Sequence, residues 1–334
     1  MTAAGGRPAP LSPEDQGFAR RLAGLLGADL EEARRLTGDV LYVRLSDGRQ
    51  LAAKGVARQS AATWRPGEPW AELVALDALG AEGAPVPKLV AADLEHGWLA
   101  MEFADGSDLA RARRLPAPGA FAALAGGLER LHRAFARAWD ALAPWAVEGP
   151  AREREWAAGL LPFLDEEGRA AWQDLAAEAL ERPEAVPGPL DVQAANVVWQ
   201  GEQVTFLDMA SFGYDGKEKR LAAYAQRAGP EPVSLLDAEA YAYYRRAMGR
   251  KAALRLAFFD FLYWGMALAR VFAAARHPGS AAARRLEEAW GPPQALVAPL
   301  AAMWRRPRLD DLRVERVRRG LVTWKEGAPG PAGK

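Results

Sequence analysis

Short apolar runs bounded by turn formers dominate the first third of the chain. Leu41–Leu45 and Leu51–Val56 flank a Ser-Asp-Gly-Arg turn, which predicts a pair of antiparallel strands. Val86–Val90 and Gly97–Phe103 have the same strand character. These runs predict a small antiparallel sheet, which we expect to contain five strands.

Helical spacing replaces this pattern elsewhere. Leu73, Leu76 and Leu79 recur at helical spacing within Trp70–Leu79. A break rich in turn formers follows at 104–108. Beyond it, apolar residues at helical spacing predict a longer helix: Phe121, Leu124, Leu128, Leu131 and Phe135. A chain of 334 residues is long for one core, so we predict an α+β protein with two lobes. The N-lobe would span 1–104 and a mostly helical C-lobe 105–334.

A second predicted hairpin carries the chemistry. Val197–Trp199 and Val204–Leu207 read as its strands, and Gly201-Glu202 as its turn. Asn196 and Asp208 would then lie at its open end, about one strand spacing (~5 Å) apart. An amide oxygen and a carboxylate at that separation suit Mg²⁺. Asp191, on the same loop, could accept a proton from a substrate hydroxyl.

One lysine stands out because the chain is rich in arginine and poor in lysine. Lys54 ends the second predicted strand, and Glu72 begins the helix that follows it. The pair could orient the lysine on nucleotide phosphates. Taken alone, each residue could instead be an exposed strand lysine or a dipole-favoured glutamate, but the motifs that follow favour the pair. Gly38 lies in a turn that could cover phosphates. The backbone of Glu102 and Phe103, next to the lobe boundary, could bind an adenine edge.

Composition narrows the class of protein. The chain has no cysteine and 3 histidines, which excludes disulfides and thiol catalysis and disfavours a histidine-rich metal site. A formal net charge of zero disfavours a nucleic-acid partner. No long uncharged apolar run and no apolar leader are evident. We therefore expect a cytoplasmic protein that has no membrane association.

These motifs, in this order, resemble the aminoglycoside phosphotransferase and choline kinase family, which has a protein-kinase-like fold. The similar pieces are the Lys54 strand, the Glu72 helix, Met-Glu-Phe103, Leu-Glu-Arg-Leu-His132, Asp191-x4-Asn196 and Phe-Leu-Asp208. The resemblance implies that Lys54 holds ATP phosphates, that Glu72 orients it, and that Asn196 and Asp208 hold Mg²⁺. It also implies that Asp191 is the catalytic base. The reaction would be phosphoryl transfer from ATP to a small-molecule hydroxyl.

Two departures from the family pattern stand out. The family usually has His-Gly before its catalytic aspartate, where this chain has Pro189-Leu190. An acid often found downstream is absent, and Lys219-Arg220-Leu221-Ala222 stands in that region. Loss of the histidine removes a brace from the loop but no reacting group.

The last third should supply the acceptor pocket. Its aromatic segments, Tyr241–Tyr244 and Phe258–Trp264, are typical of packed helices. Asp260 lies inside such a segment, so it should be paired or face a cleft, and it is a candidate substrate-binding acid. The basic stretches 305–308 and 313–319 are typical of a solvated helix face, with nucleic-acid contact as the minor alternative.

Two other functions stay open. The Pro189-Leu190 departure favours a non-catalytic nucleotide-binding module with a regulatory role. A protein-directed kinase is disfavoured, because no multi-glycine loop and no Ala-Pro-Glu segment after the metal aspartate are found. The acceptor could be aminoglycoside-like, sugar-like or amino-alcohol-like.

Overall fold

The small lobe is built on one antiparallel sheet. The computed structural model describes residues 11–37, 40–55, 70–93, 97–109, 119–148, 152–181 and 185–322. The five strands, β1 Leu30–Thr37, β2 Val40–Leu45, β3 Gln50–Gly55, β4 Leu89–Asp93 and β5 Trp98–Glu102, lie in the order β1-β2-β3-β5-β4. Every neighbouring pair is antiparallel. The predicted five-stranded antiparallel sheet is therefore confirmed.

Side-chain alternation along the strands divides the core of the small lobe into two layers. Trp98 and Ala100 of β5 face a layer completed by helix α1 (Pro13–Leu25), whereas Leu99 and Met101 face the layer of helix α2 (Ala71–Ala81). Helix α1 was not predicted. Its start is nevertheless marked in the sequence by Ser12, whose side chain accepts a hydrogen bond from the Asp15 amide at 3.1 Å.

Strand β4 begins three residues later than the sequence predicted, at Leu89 rather than Val86. The Val86 amide donates to the Ala84 carbonyl at 2.8 Å, in a turn. Pro87 has no amide hydrogen to give to a ladder. The chain therefore joins the sheet only after the proline.

The rest of the chain is mostly helical. Its helices are α3 Ala120–Leu142, α4 Glu153–Leu160, α5 Glu166–Leu180, α6 Lys217–Tyr224, α7 Ala238–Arg276, α8 Ala281–Trp290, α9 Pro293–Arg305 and α10 Leu312–Arg319. Short strands lie among them: β6 Ser107–Asp108, β7 Ala185–Pro189, β8 Val197–Gln200, β9 Gln203–Phe206, β10 Phe212–Gly216, β11 Gln226–Arg227 and β12 Val233–Ser234. The α+β fold class predicted from the sequence is confirmed. The lobe boundary at residue 104 stays a prediction.

Helix α7 is the spine of the helical lobe. It spans 39 residues, but Gly249 has φ 86° and divides it into two helices. By length and apolar composition it is the one helix among the described residues that could cross a membrane. Within that apolar window 72% of the residues are buried inside the protein, as in the core helix of a globular domain. It packs against α6 and α9.

Candidate functional site

The predicted hairpin forms and brings Asn196 and Asp208 together. Strands β8 and β9 pair antiparallel from Val197 opposite Phe206, and the Leu207 amide donates to the Asn196 carbonyl at 2.8 Å. The Asn196 side chain is buried, and its Nδ2 donates to the backbone carbonyl of Asp191 at 3.0 Å. The loop that carries Asp191 is therefore tied to the hairpin.

Asp208 has an unusual backbone conformation. Its φ is 59°, in the left-handed region that few residues other than glycine adopt. Aspartate tolerates this region better than most residues because of its short polar side chain. Strain of this kind often marks functional sites. Here it accompanies the turn that follows β9.

Lys54 contacts two carboxylates, one from its own lobe and one from the other. Its Nζ lies 2.7 Å from Glu72 Oε2 and 2.9 Å from Asp208 Oδ1. Burial by itself lowers the pKa of Lys54, but the carboxylates of Glu72 and Asp208 outweigh it, and the pKa lies above its ordinary value. The lysine is therefore cationic at any physiological pH. The Asp208 side chain retains 33% of its exposure, which leaves it accessible to a ligand.

A cleft of about 410 Å³ lies between the lobes, and six of the predicted site residues line it. They are Lys54, Glu72, Glu102, Phe103, Asn196 and Asp208. Apolar side chains not singled out from the sequence complete the walls: Leu36, Val40, Ala52, Met101, Val198 and Leu207. A volume of this size suits a nucleotide-sized ligand, with apolar walls and a cluster of charges at one end. Gly38 lies outside the described residues.

The adenine-binding role suggested for Glu102 and Phe103 needs correction in one respect. The Glu102 amide donates to the Lys88 carbonyl at 2.9 Å, and the Phe103 amide donates to the Gln50 carbonyl at 2.9 Å. Both amides extend the pairing of the inner strand β5 with its neighbours β4 and β3. An adenine edge would have to use other backbone groups of this segment.

Asp191 is exposed on the loop that precedes Asn196. Burial and the charge of Asp208 raise its pKa, against the opposing hydrogen bonds of Asn196 and Gln193. Gln193 Nε2 lies 3.3 Å from Asp191 Oδ2. Gln193 was not predicted, although its position two residues after Asp191 places it on the same loop.

A second pocket of about 370 Å³ lies on the other side of this loop. Gln193 and Ala195 line both cavities. The second pocket is walled by helices α4, α6, α7 and the end of α8. We name it the loop-side pocket. Gln193 and Ala195 of the Asp191 loop therefore lie between the two cavities.

Asp260 does not face either cavity, so its predicted role as a substrate-binding acid is wrong. It is fully buried, with Arg308 Nε 2.6 Å from Oδ2 and Arg306 Nη2 3.0 Å from Oδ1. The hydroxyl of Tyr241 donates to Oδ2 at 2.7 Å. Burial would raise the pKa of Asp260, but the two arginines hold it below its ordinary value. Asp260 is a structural ion-pair partner.

The same contacts correct the interpretation of the basic stretch 305–308. Arg308 is buried, and its guanidinium also donates to the carbonyls of Trp304 and Met303. Its guanidinium lies 3.9 Å from the centre of the Phe261 ring. Arg308 therefore belongs to the core and not to a solvated face.

Arg220 supports the strands that lead into the Asp191 loop. It is fully buried, and its guanidinium donates to the carbonyls of Pro189, Gly213 and Val186 at 2.7, 2.9 and 3.0 Å. These carbonyls belong to the paired strands β7 and β10, and β7 ends at Pro189, the first residue of the Pro189-Leu190 departure. The buried charge is satisfied by backbone dipoles. From the sequence, the segment 219–222 was notable only because it lacks an acid, and the role of Arg220 was not predicted.

His132 completes the network and makes stability pH-dependent. Arg220 Nη1 lies 3.3 Å from His132 Nε2, so this nitrogen accepts. Burial, with the charges of Arg220 and Lys217, lowers the pKa of His132 to about 2. The unfolded chain binds a proton below about pH 6.5 whereas the folded chain does not, so stability falls as the pH drops through that value.

We expect this histidine to cost about 1.4 kcal/mol of unfolding free energy between about pH 8 and about pH 5.5. In His132→Gln that part of the pH dependence should disappear. Denaturant unfolding at both pH values measures it. His277→Gln is the control, because His277 is exposed. An unchanged pH dependence in His132→Gln would contradict the assignment.

Asn196 and Asp208 fit a magnesium site. Because Asn196 Nδ2 is committed to the Asp191 carbonyl, its amide oxygen is the atom left to bind a cation. The described residues contain no group of three or more histidine or acidic side chains that could hold a metal. Mg²⁺ in phosphoryl-transfer sites is commonly bound by one or two protein ligands plus substrate phosphates and water. The donor set here has that composition.

Comparisons with solved structures agree with this architecture. A macrolide 2'-phosphotransferase from Brachybacterium faecium superposes with a TM-score of 0.52 at 19% identity, covering 86% of this chain and 99% of that one. A choline/ethanolamine kinase family protein from Mesorhizobium loti superposes with a TM-score of 0.51 at 17% identity, covering 92% of this chain and 98% of that one. No protein-family model and no curated protein matches the sequence. The resemblance seen in the motifs is thus confirmed for the fold, which is protein-kinase-like.

Proposed function

We propose that this protein is an ATP-dependent phosphotransferase that acts on a hydroxyl group of a small molecule in the cytoplasm. The observation that carries this proposal is the contact of Lys54 with both Glu72 and Asp208, beside Asn196, in one interlobe cleft. An inert surface hairpin would not need a buried lysine from the other lobe. The phosphotransferase names of the structures that share the fold support the same class.

Each residue has a defined task in the proposed reaction. Lys54 binds the nucleotide phosphates, and Glu72 holds its ammonium group in place. Asn196 and Asp208 would hold Mg²⁺, which would neutralise the charge that develops on the transferred phosphoryl group. On binding Mg²⁺, Asp208 would exchange its contact with Lys54 for a bond to the metal. The Asp208 side chain is 33% exposed, so a metal ion can reach it.

The chemistry at the acceptor is a single displacement. The acceptor oxygen forms a bond to the γ-phosphorus, the bond from that phosphorus to the bridging oxygen breaks, and ADP leaves. The hydroxyl proton passes to Asp191. The raised pKa of Asp191 makes it a better proton acceptor than an ordinary surface carboxylate once it is ionised. The acceptor would lie in the loop-side pocket, because Gln193 and Ala195 border both cavities.

Mg-ATP is expected to raise the melting temperature, because a ligand that binds only the folded state stabilises it by mass action. At about 100 times its dissociation constant the gain is about 2.7 kcal/mol. Calorimetry and a thermal-shift assay with and without Mg²⁺ measure it. Lys54→Met should reduce the shift, whereas Lys251→Met, at an exposed position on α7, should not.

Absence of both a thermal shift and calorimetric binding at saturating Mg-ATP would reject the proposal. Binding without transfer or hydrolysis, across a broad acceptor panel, would favour the regulatory alternative. The Arg220 contacts argue for catalysis, because they supply the loop with a brace in place of the missing histidine.

A further inference from the structure

The loop-side pocket has an aromatic and aliphatic wall. One face of α7 supplies it at helical spacing: Phe259, Leu262, Tyr263, Met266, Ala267 and Arg270. Trp156 of α4 and Trp290 at the end of α8 add two indole rings. On the loop side the lining residues are small, because Ala194, Ala195, Ala222 and Ala223 leave room. The pocket is therefore shaped for a ligand with an apolar ring.

The charges of this pocket have one sign. Lys219, Arg227 and Arg270 line it, and no aspartate or glutamate is among its described lining residues. Lys219 itself is paired with two acids outside the lining, since its Nζ lies 2.5 Å from Glu153 Oε1 and 2.8 Å from Asp215 Oδ2. Arg270 lines the pocket and is exposed, so a ligand ammonium group beside it would meet positive charge.

The two arginines lie close to the pocket wall. Burial raises the pKa of the Tyr263 hydroxyl, while Arg270 and Arg227 act in the opposite direction through their charges. The hydroxyl itself is committed, because it accepts from the Ala228 amide at 3.0 Å and lies 3.2 Å from the Gln226 carbonyl. Tyr263 therefore offers a ligand its ring face, next to positive charge.

One polar atom at the pocket has no partner. Gln226 is fully buried and lines the pocket, and its Nε2 donates to the Ala222 carbonyl at 2.9 Å. Its Oε1 makes no hydrogen bond within the described part of the protein. A buried acceptor without a donor is costly, and it is a common mark of a ligand contact. The Gln226 amide oxygen would accept a hydrogen bond from a hydroxyl or N–H group of the ligand.

We infer that the acceptor is an uncharged or anionic hydroxylated compound with an apolar ring, and that cations such as aminoglycosides and amino alcohols bind this pocket more weakly. This inference rests on the proposed function, since it assigns the acceptor to the loop-side pocket. The ring packs against Trp156, Tyr263 and Trp290. A donor group binds Gln226, and an acidic or polar substituent faces Arg270. The hydroxyl nearest Asp191 receives the phosphoryl group by the displacement described above.

A matched set of three compounds tests the charge preference. 3-Phenyllactate, 3-phenylpropane-1,2-diol and phenylalaninol share a benzyl body and a hydroxyl, and they carry negative, zero and positive charge. Calorimetric titration is done with the nucleotide cleft empty and again with a non-hydrolysable Mg-ATP analogue. We expect the anion to bind at least about tenfold more tightly than the cation. One or two partly exposed charges on the protein would produce a difference of this size. Kanamycin and choline serve as further cationic probes.

Reversing the charge of Arg270 tests the charge preference of the pocket more directly. Arg270→Glu should shift the ratio between phenyllactate and phenylalaninol by about tenfold or more toward the cation. Arg245→Glu makes the same change at an exposed site on α7 outside the pocket, and it should leave the ratio unchanged. Gln226→Leu should weaken the diol by about fivefold, because the ligand loses its acceptor.

The inference is overturned if phenylalaninol, choline or kanamycin binds as tightly as phenyllactate, or if none of the three benzyl compounds binds at millimolar concentration. It is also overturned if Arg270→Glu and Arg245→Glu behave alike. Failure of the proposed function has a different outcome, namely that Mg-ATP does not bind or is not consumed. The charge order of ligand binding is measured without turnover, so the two results are separable.

Discussion

Replacing Asp191 by asparagine is expected to lower turnover by about 10²–10⁴ while Mg-ATP affinity stays nearly unchanged, the usual effect of losing a positioned general base. The side chain lies on the exposed face of the loop and does not line the nucleotide cleft. Asparagine keeps its size and can still accept from Gln193. Only the ability to take a proton is removed.

The control for this variant is Asp208→Asn. Asp208 contacts Lys54 and would bind Mg²⁺, so its replacement should impair nucleotide binding and turnover together. Asparagine also tolerates the left-handed backbone at this position. Initial rates over a range of acceptor and nucleotide concentrations separate the two cases. Equal losses of affinity in both variants would contradict the separate roles.

The pH profile gives a second measurement on Asp191. The base must be ionised, and its pKa is raised by burial and by Asp208. The rate should therefore fall, as the pH is lowered, at a higher pH than an ordinary aspartate would produce. In Asp191→Asn this acid limb should be absent from the residual rate.

Replacing Asp260 by asparagine is expected to destabilise the fold by about 3–5 kcal/mol, because it leaves buried guanidinium charge uncompensated. Arg308 is buried and Arg306 is mostly so, and both bind this carboxylate. Denaturant unfolding measures the loss. Asp47→Asn is the matched control, since Asp47 also binds an arginine but is exposed, and the free energy of unfolding should hardly change.

A double substitution separates charge from packing. Asp260→Leu with Arg308→Met removes the closest ion pair and should recover part of the stability lost in Asp260→Asn. A different outcome would restore a substrate-binding role for Asp260. In that outcome, Asp260→Asn leaves the free energy of unfolding unchanged and weakens acceptor binding.

Local patterns allowed much of the nucleotide-side arrangement to be predicted. The hairpin that positions Asn196 and Asp208 depends on one turn and two short strands, so neighbouring residues contain the necessary information. The approach of Lys54 to Glu72 follows from a strand followed by a helix. The catalytic and metal-binding roles themselves stay predictions.

Long-range contacts explain what the sequence did not show. Asp260 meets arginines 46 and 48 positions away, and nothing near it in sequence distinguishes pairing from exposure to a cleft. Arg220 acts on backbone carbonyls, which leave no trace in side-chain patterns. Gln193 is of interest because it lines two cavities, and these cavities form only when the chain folds.

The brace formed by Arg220 has a consequence for how this chain can change over evolutionary time. A methyl group added at Gly188 would lie 2.8 Å from Arg220 Nη1 and 3.1 Å from the His132 ring, closer than atoms can pack without movement. A larger residue at 188 would therefore require a smaller residue at 220 or a shift of its guanidinium group. The contact at Pro189, by contrast, uses the backbone carbonyl, which is present whatever the side chain. Arg220 therefore constrains the side chain at position 188 but not, through this hydrogen bond, the side chain at position 189.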